Sequence, residues 1–93
     1  GFSRGTDIVK ALCLGAECVG LGRLYCYALA ADGAAGVVRL LEILENEFRS
    51  ALGLLGVTSV AELGPAFVAP AMPTNMPHVH SAFPLLRLED SGY

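Results

Sequence analysis

One apolar stripe limits what this chain can fold into. Val37, Leu40, Leu41, Leu44, Phe48, Ala51, Leu52 and Leu55 recur at i, i+3, i+4 and i+7, the spacing of one face of a long α-helix. The opposite face carries Glu42, Glu45 and Arg49, with Glu45 and Arg49 four apart in the order that favours an ion pair. Gly56 supplies the stop. Such a stripe must be covered by other elements, and a chain of 93 residues with one obvious long helix has few to offer. The composition points the same way. At 54% hydrophobic and 16% charged, the chain is well below the ~25% charged content of ordinary soluble domains. It is expected to bury surface against something outside itself.

The other segments are short. Ile8, Val9, Ala11 and Leu12 predict a helix over Thr6 to Leu14 that ends at Gly15. Cys18 to Leu21, an apolar run between Gly15 and Gly22, reads as a buried strand of the parallel kind. Arg23 to Ala31 reads as a short helix ended by Asp32-Gly33, and Ser59 with Glu62 has the spacing of a capping box. Helix, strand, helix, helix is a piece of an α/β fold, because one strand makes no sheet. A parallel barrel supplies the missing parts, so the expected fold is α/β, the C-terminal segment of a (β/α)8 TIM barrel. Gly1 to Asp7 would be the turn after strand seven, leading into helix seven. Cys18 to Leu21 would be strand eight, Arg23 to Ala31 the short extra helix, and Val37 to Leu55 helix eight.

The junctions into these helices carry the functional signal. At Gly20-Leu21-Gly22-Arg23 a strand ends in glycine and passes into a helix start. Glycine lets the backbone approach an anion, the helix start aims free N–H groups at it, and Arg23 adds charged donors. The competing reading is a glycine turn followed by a solvated arginine. Gly1-Phe2-Ser3-Arg4-Gly5-Thr6-Asp7 is a second glycine-bounded turn into a helix, with Asp7 suited to the helix dipole.

Several function classes are disfavoured. A formal net charge of −3 with six Lys and Arg is unsuited to nucleic acid, which demands clustered positive charge. No membrane span is expected in the longest uncharged stretch, Leu63 to Leu86, because it holds all five prolines. The first residues lack the apolar core of a signal peptide. Cys13, Cys18 and Cys26 match no metal or redox spacing and read as small buried hydrophobes, in keeping with a reducing, cytoplasmic compartment. His78-Val79-His80 could place both rings on one side of an extended segment, but no further ligands accompany it, and no metal site is expected. Tyr25 and Tyr27 read as packing groups.

Arg4-Gly5-Thr6-Asp7-Ile8-Val9-Lys10-Ala11-Leu12-Cys13-Leu14-Gly15-Ala16 and Val19-Gly20-Leu21-Gly22-Arg23 resemble the C-terminal end of the FMN-dependent α-hydroxy acid dehydrogenases and oxidases, a family that includes lactate and mandelate dehydrogenases and glycolate oxidases. The resemblance continues through Leu40 to Phe48 and the Leu55-Gly56-Val57-Thr58-Ser59 turn. It implies an eight-stranded barrel holding FMN, with Gly1, Phe2 and Ser3 in a first grip on the flavin phosphate and Gly22 and Arg23 in a second. Ser3 stands where the family usually has arginine, so Arg4 becomes a candidate replacement. The family's histidine base and its carboxylate-binding arginine lie upstream of these residues. On this reading the chain is the FMN-phosphate-binding part of an oxidoreductase acting on a 2-hydroxy acid or related substrate, and it catalyses only with the rest of the barrel. The alternatives are another phosphate- or FMN-binding barrel, of the type 2 isopentenyl diphosphate isomerase or inosine monophosphate dehydrogenase kind, or a non-catalytic small subunit.

Two regions follow: 1–64 as the barrel portion and 65–93 as an extended, proline-rich tail. Phe67, Val68, Met72, Met76, Val79, Phe83, Leu85, Leu86 and Leu88 make this tail too apolar to remain in water. It is expected to lie across its own barrel or fasten the subunits of a homo-oligomer.

Overall fold

The computed structural model describes residues 1–72. Met76, His78, His80, Phe83 and the rest of the expected arm beyond Met72 lie outside the described residues. Two helices carry the architecture: α1, Gly5–Cys13, and α2, Arg23–Leu55. Single 3-10 turns follow at Val60–Glu62 and Pro65–Phe67, the second of them inside the segment expected to be extended throughout. A proline at its first position, with φ already suited to a helical turn, accounts for it.

α1 forms where the apolar spacing places it. Gly5, Val9 and Cys13, one i, i+4 line, are its buried residues, while Asp7 in the first turn and Lys10 in the last both suit the dipole. That line packs on the second half of α2. Val9, Cys13 and Ala51 form the buried cluster, and Phe48, Leu52, Leu63 and Val68 pack around it.

α2 is not one straight rod. Asp32 (φ −154°, ψ 31°) and Gly33 (φ 58°, ψ −143°) leave helical geometry, so the expected boundary at Asp32-Gly33 survives as a sharp bend within one element. In a straight helix the backbones of residues 28 and 36 would be ~12 Å apart. Here a Cβ built on Gly36 would collide with the Ala28 carbonyl oxygen, so the first arm folds back over the start of the second. Gly56 closes the helix in the left-handed conformation, φ 78°, as its position predicts.

The expected strand at Cys18 to Leu21 does not form, and no strand occurs among the described residues. A strand is held by ladder hydrogen bonds to a neighbour, and the described residues provide none. The consequence for packing is visible on α2. Leu44 and Ala51 are buried, whereas Leu41 of the same stripe is 53% exposed, and Leu29, Val38 and Ile43 elsewhere on α2 are exposed as well. By length and composition alone α2 is apolar enough to cross a membrane, with a mean hydropathy of 1.3 over its most apolar window. The bend changes that geometry. The arm before Asp32 spans only ~14 Å against a ~30 Å hydrocarbon core, and the arm after Gly33 carries Arg39, Glu42, Glu45, Glu47 and Arg49.

The Ser59–Glu62 capping box is present. Glu62 Oε2 accepts from the Thr58 N–H at 2.6 Å and the Ser59 N–H at 2.9 Å. These two backbone donors hold the Glu62 carboxyl below the ordinary carboxylate range, against some desolvation. Because the folded-state value is depressed, the stabilisation is present above the unfolded value and is lost as pH falls through the folded one. Glu62→Gln should therefore lower the thermal midpoint at neutral pH. The gap from the unsubstituted protein should close on acidification below the carboxylate range, and a gap independent of pH would contradict this.

Candidate functional site

The two helix starts expected to grip a phosphate have opposite electrostatic character. At α1 the backbone donors of Ser3, Arg4 and Gly5 are already occupied. Arg4 is the N-cap residue, with extended backbone (φ −134°, ψ 157°). Asp7 Oδ2 accepts from the Ser3 N–H at 3.1 Å, the Arg4 N–H at 3.0 Å and the Ser3 hydroxyl at 3.4 Å. Glu47, reaching across from α2, accepts the Gly5 N–H through Oε1 at 2.9 Å. Its Oε2 accepts from Arg4 Nε and pairs with Nη2, both at 2.8 Å. The Gly5 N–H foremost, and the Arg4 guanidinium after it, hold the Glu47 carboxyl below the ordinary range, opposed by desolvation and by the Asp7 charge.

The start of α2 is open. Gly22 is the N-cap residue, no side chain caps the helix, and its first turn holds no acid. Arg23 is exposed and forms none of the ion pairs found among the described residues, while Arg39 and Arg49 pair with Glu42 and Glu45 at 3.3 and 2.8 Å. A cap without a side-chain acceptor leaves the first N–H groups of the helix for another partner, and an anion is the partner the dipole favours. With Arg23 beside them, these groups make a donor set that suits a phosphate.

Of the sequence-expected residues, Gly22 and Arg23 thus stand together at an open helix start. Ser3 and Arg4 are tied to Asp7 and Glu47. Gly1 and Phe2, with Asp7, Lys10 and Ala11, line a shallow cavity of about 260 Å³ that includes neither Gly22 nor Arg23. Cys13 is buried as expected, but Cys18 and Cys26 are exposed, because the strand and the covering layer that would enclose them are not formed by the described residues. Tyr25 and Tyr27 are likewise 45% and 54% exposed. No group of three or more His, Cys, Asp or Glu side chains suited to a metal occurs among the described residues.

Glu47 is the residue that sequence reasoning passed over. At 100° per residue it lies about 50° from the line joining Leu44 and Ala51, so it sits on the seam with α1 rather than on the outer face with Glu42 and Glu45. An acid beside Phe48 at the edge of an apolar stripe was the available signal.

Residues 1–70 match the sequence profile of the FMN-dependent dehydrogenases. The chain belongs to this family. FMN is the family's cofactor. Among curated relatives, the L-lactate dehydrogenase (cytochrome) of Saccharomyces cerevisiae is 55% identical over 65 residues, covering 70% of this chain and 11% of the relative. The protein of the same description from Wickerhamomyces anomalus is 48% identical over 65 residues, covering 70% and 11%. The L-lactate dehydrogenase of Vibrio cholerae is 52% identical over 63 residues, covering 68% and 17%. The chain therefore spans only 11 to 17% of the length of these relatives. The family match runs to residue 70, past the expected boundary of the barrel portion at residue 64.

Proposed function

We propose that this chain is the FMN-phosphate-binding portion of a flavin-dependent oxidoreductase that oxidises a 2-hydroxy acid. The observation that carries the reading is the open start of α2 in a chain of an FMN-dependent family: a glycine cap, no acid in the first turn, and Arg23 exposed with no ion-pair partner among the described residues. Gly22 admits the phosphate close to the backbone, the first N–H groups of α2 donate to its oxygens, and the Arg23 guanidinium supplies charged donors. Gly1 and Phe2 add backbone donors from the turn before α1, and the Ser3 hydroxyl a neutral one. Arg4 contributes through Glu47 rather than directly.

When bound, the flavin supplies the two-electron acceptor for the hydroxy acid. The catalytic base and the substrate carboxylate site belong to an upstream segment of the same barrel, which also covers the exposed stripe of α2 and completes the sheet beside Cys18 to Leu21. The relatives' names make lactate the first substrate to try. The assembled enzyme is proposed to be a cytoplasmic homo-oligomer.

Arg23→Ala tests the site. A charged hydrogen bond is worth roughly 1.5–3 kcal/mol, so FMN affinity should fall by about 10- to 150-fold. Arg39→Ala and Arg49→Ala, whose arginines already pair with neighbouring acids, should leave it unchanged. Equal FMN dissociation constants for all three variants would remove Arg23 from the phosphate.

A further inference from the structure

The contact between Glu47 and the turn before α1 joins positions 42 and 43 apart in sequence. One carboxylate receives a backbone N–H and a guanidinium at once, at 2.9, 2.8 and 2.8 Å. Its side chain is 24% exposed against 70% for that of Arg4, so the bond from the Gly5 N–H is partly shielded from water while the Arg4 pair lies at the surface. The approach is close enough that Gly5 has no room for a Cβ against Glu47 and Phe48. Glu47 also belongs to the element that begins with Arg23. It therefore ties one proposed phosphate-binding segment to the helix that starts with the other.

We infer that Glu47 is a positioning residue for the flavin phosphate: by accepting from Gly5 and Arg4 it holds the Gly1–Arg4 turn where the backbone of that turn meets the phosphate bound by Arg23. The inference rests on the phosphate site proposed above. Glu47 acts through the turn and does not touch the flavin. Its charge also occupies the Arg4 guanidinium, which is therefore not free to pair with the phosphate. Asp7, the other acid facing the turn, accepts from Ser3 and Arg4 and holds its local shape, but it makes no link to α2.

The test uses the whole protein that contains this chain, freed of flavin and titrated separately with FMN and with riboflavin, which lacks the phosphate. Glu47→Ala should raise the FMN dissociation constant about tenfold or more, since it removes a charged hydrogen-bond pair from the turn. The riboflavin constant should stay within about twofold on the same reasoning. Glu47→Gln keeps an acceptor for the Gly5 N–H and should restore most of the FMN affinity. If Glu47→Ala does not fold, Glu47→Asp, shorter by one methylene, should show the same FMN-selective loss at about threefold. Equal weakening of both flavins would mean that Glu47 only supports the fold, and unchanged FMN binding would mean that it does not position the turn; either result overturns the inference. Arg23→Ala separates the two readings. If it weakens FMN selectively while the Glu47 variants do not, only the positioning role fails. If it leaves FMN unchanged, the phosphate site fails and the role of Glu47 with it.

Discussion

Gly5→Ala is expected to push α1 away from α2 and destabilise the protein by about 3 kcal/mol, at the upper end of what overpacking a tight contact costs. An added Cβ would stand 2.6 Å from Glu47 Cβ, 2.6 Å from the Phe48 nitrogen and 2.8 Å from the Glu47 carbonyl carbon. Two of these three atoms are backbone, so no rotamer change relieves the clash. The helices must separate, which exposes Val9, Cys13 and Ala51 and stretches the bond from the Gly5 N–H to Glu47. Gly53→Ala provides the opposite case. It lies within α2 with nothing within 4 Å of a built Cβ, so alanine there should stabilise by about 0.5–1 kcal/mol through helix propensity. Denaturant unfolding of the two variants should therefore shift in opposite directions. A Gly5→Ala midpoint equal to that of the unsubstituted protein would show that the helices are not in the close contact described.

The same comparison shows which features were legible in the sequence. Local signals read well: Gly56 at the end of α2, the Ser59–Glu62 box and the break at Asp32-Gly33 each depend on a few neighbouring residues whose conformational limits are intrinsic. Cys18 to Leu21 did not become a strand because strand formation depends on a partner, and periodicity cannot say whether one is within reach. The exposure of Cys18, Cys26 and Leu41 has the same origin. At the candidate site, the glycine-arginine junction was visible as a motif, but the occupation of Arg4 was not. Arg4 and Glu47 are 43 residues apart, and no local pattern pairs them. The seam position of Glu47 becomes informative only once α1 is known to lie against that side of α2.

The bend in α2 gives the second large expected effect. Two glycines permit it, for different reasons. Gly33 has φ 58° and ψ −143°, a conformation that a side chain makes costly by roughly 1–3 kcal/mol. Gly36 is a steric requirement, because its missing Cβ leaves the space taken by the Ala28 carbonyl. Gly36→Ala should thus open the angle between the arms and destabilise the protein by about 2–3 kcal/mol, as overpacking against backbone does. The functional consequence is expected at a distance from the substitution. Arg23 heads the arm before the bend and Glu47 lies on the arm after it, so opening the angle moves the Arg23 guanidinium relative to the turn that Glu47 holds. FMN affinity should fall about tenfold or more, comparable with loss of a charged hydrogen bond, even in conditions where the variant remains folded. Gly53→Ala, where a built Cβ meets nothing within 4 Å, serves as the control and should retain flavin. If Gly36→Ala loses stability but binds FMN as tightly as the control, the bend is a packing feature alone, and Arg23 reaches the phosphate without it.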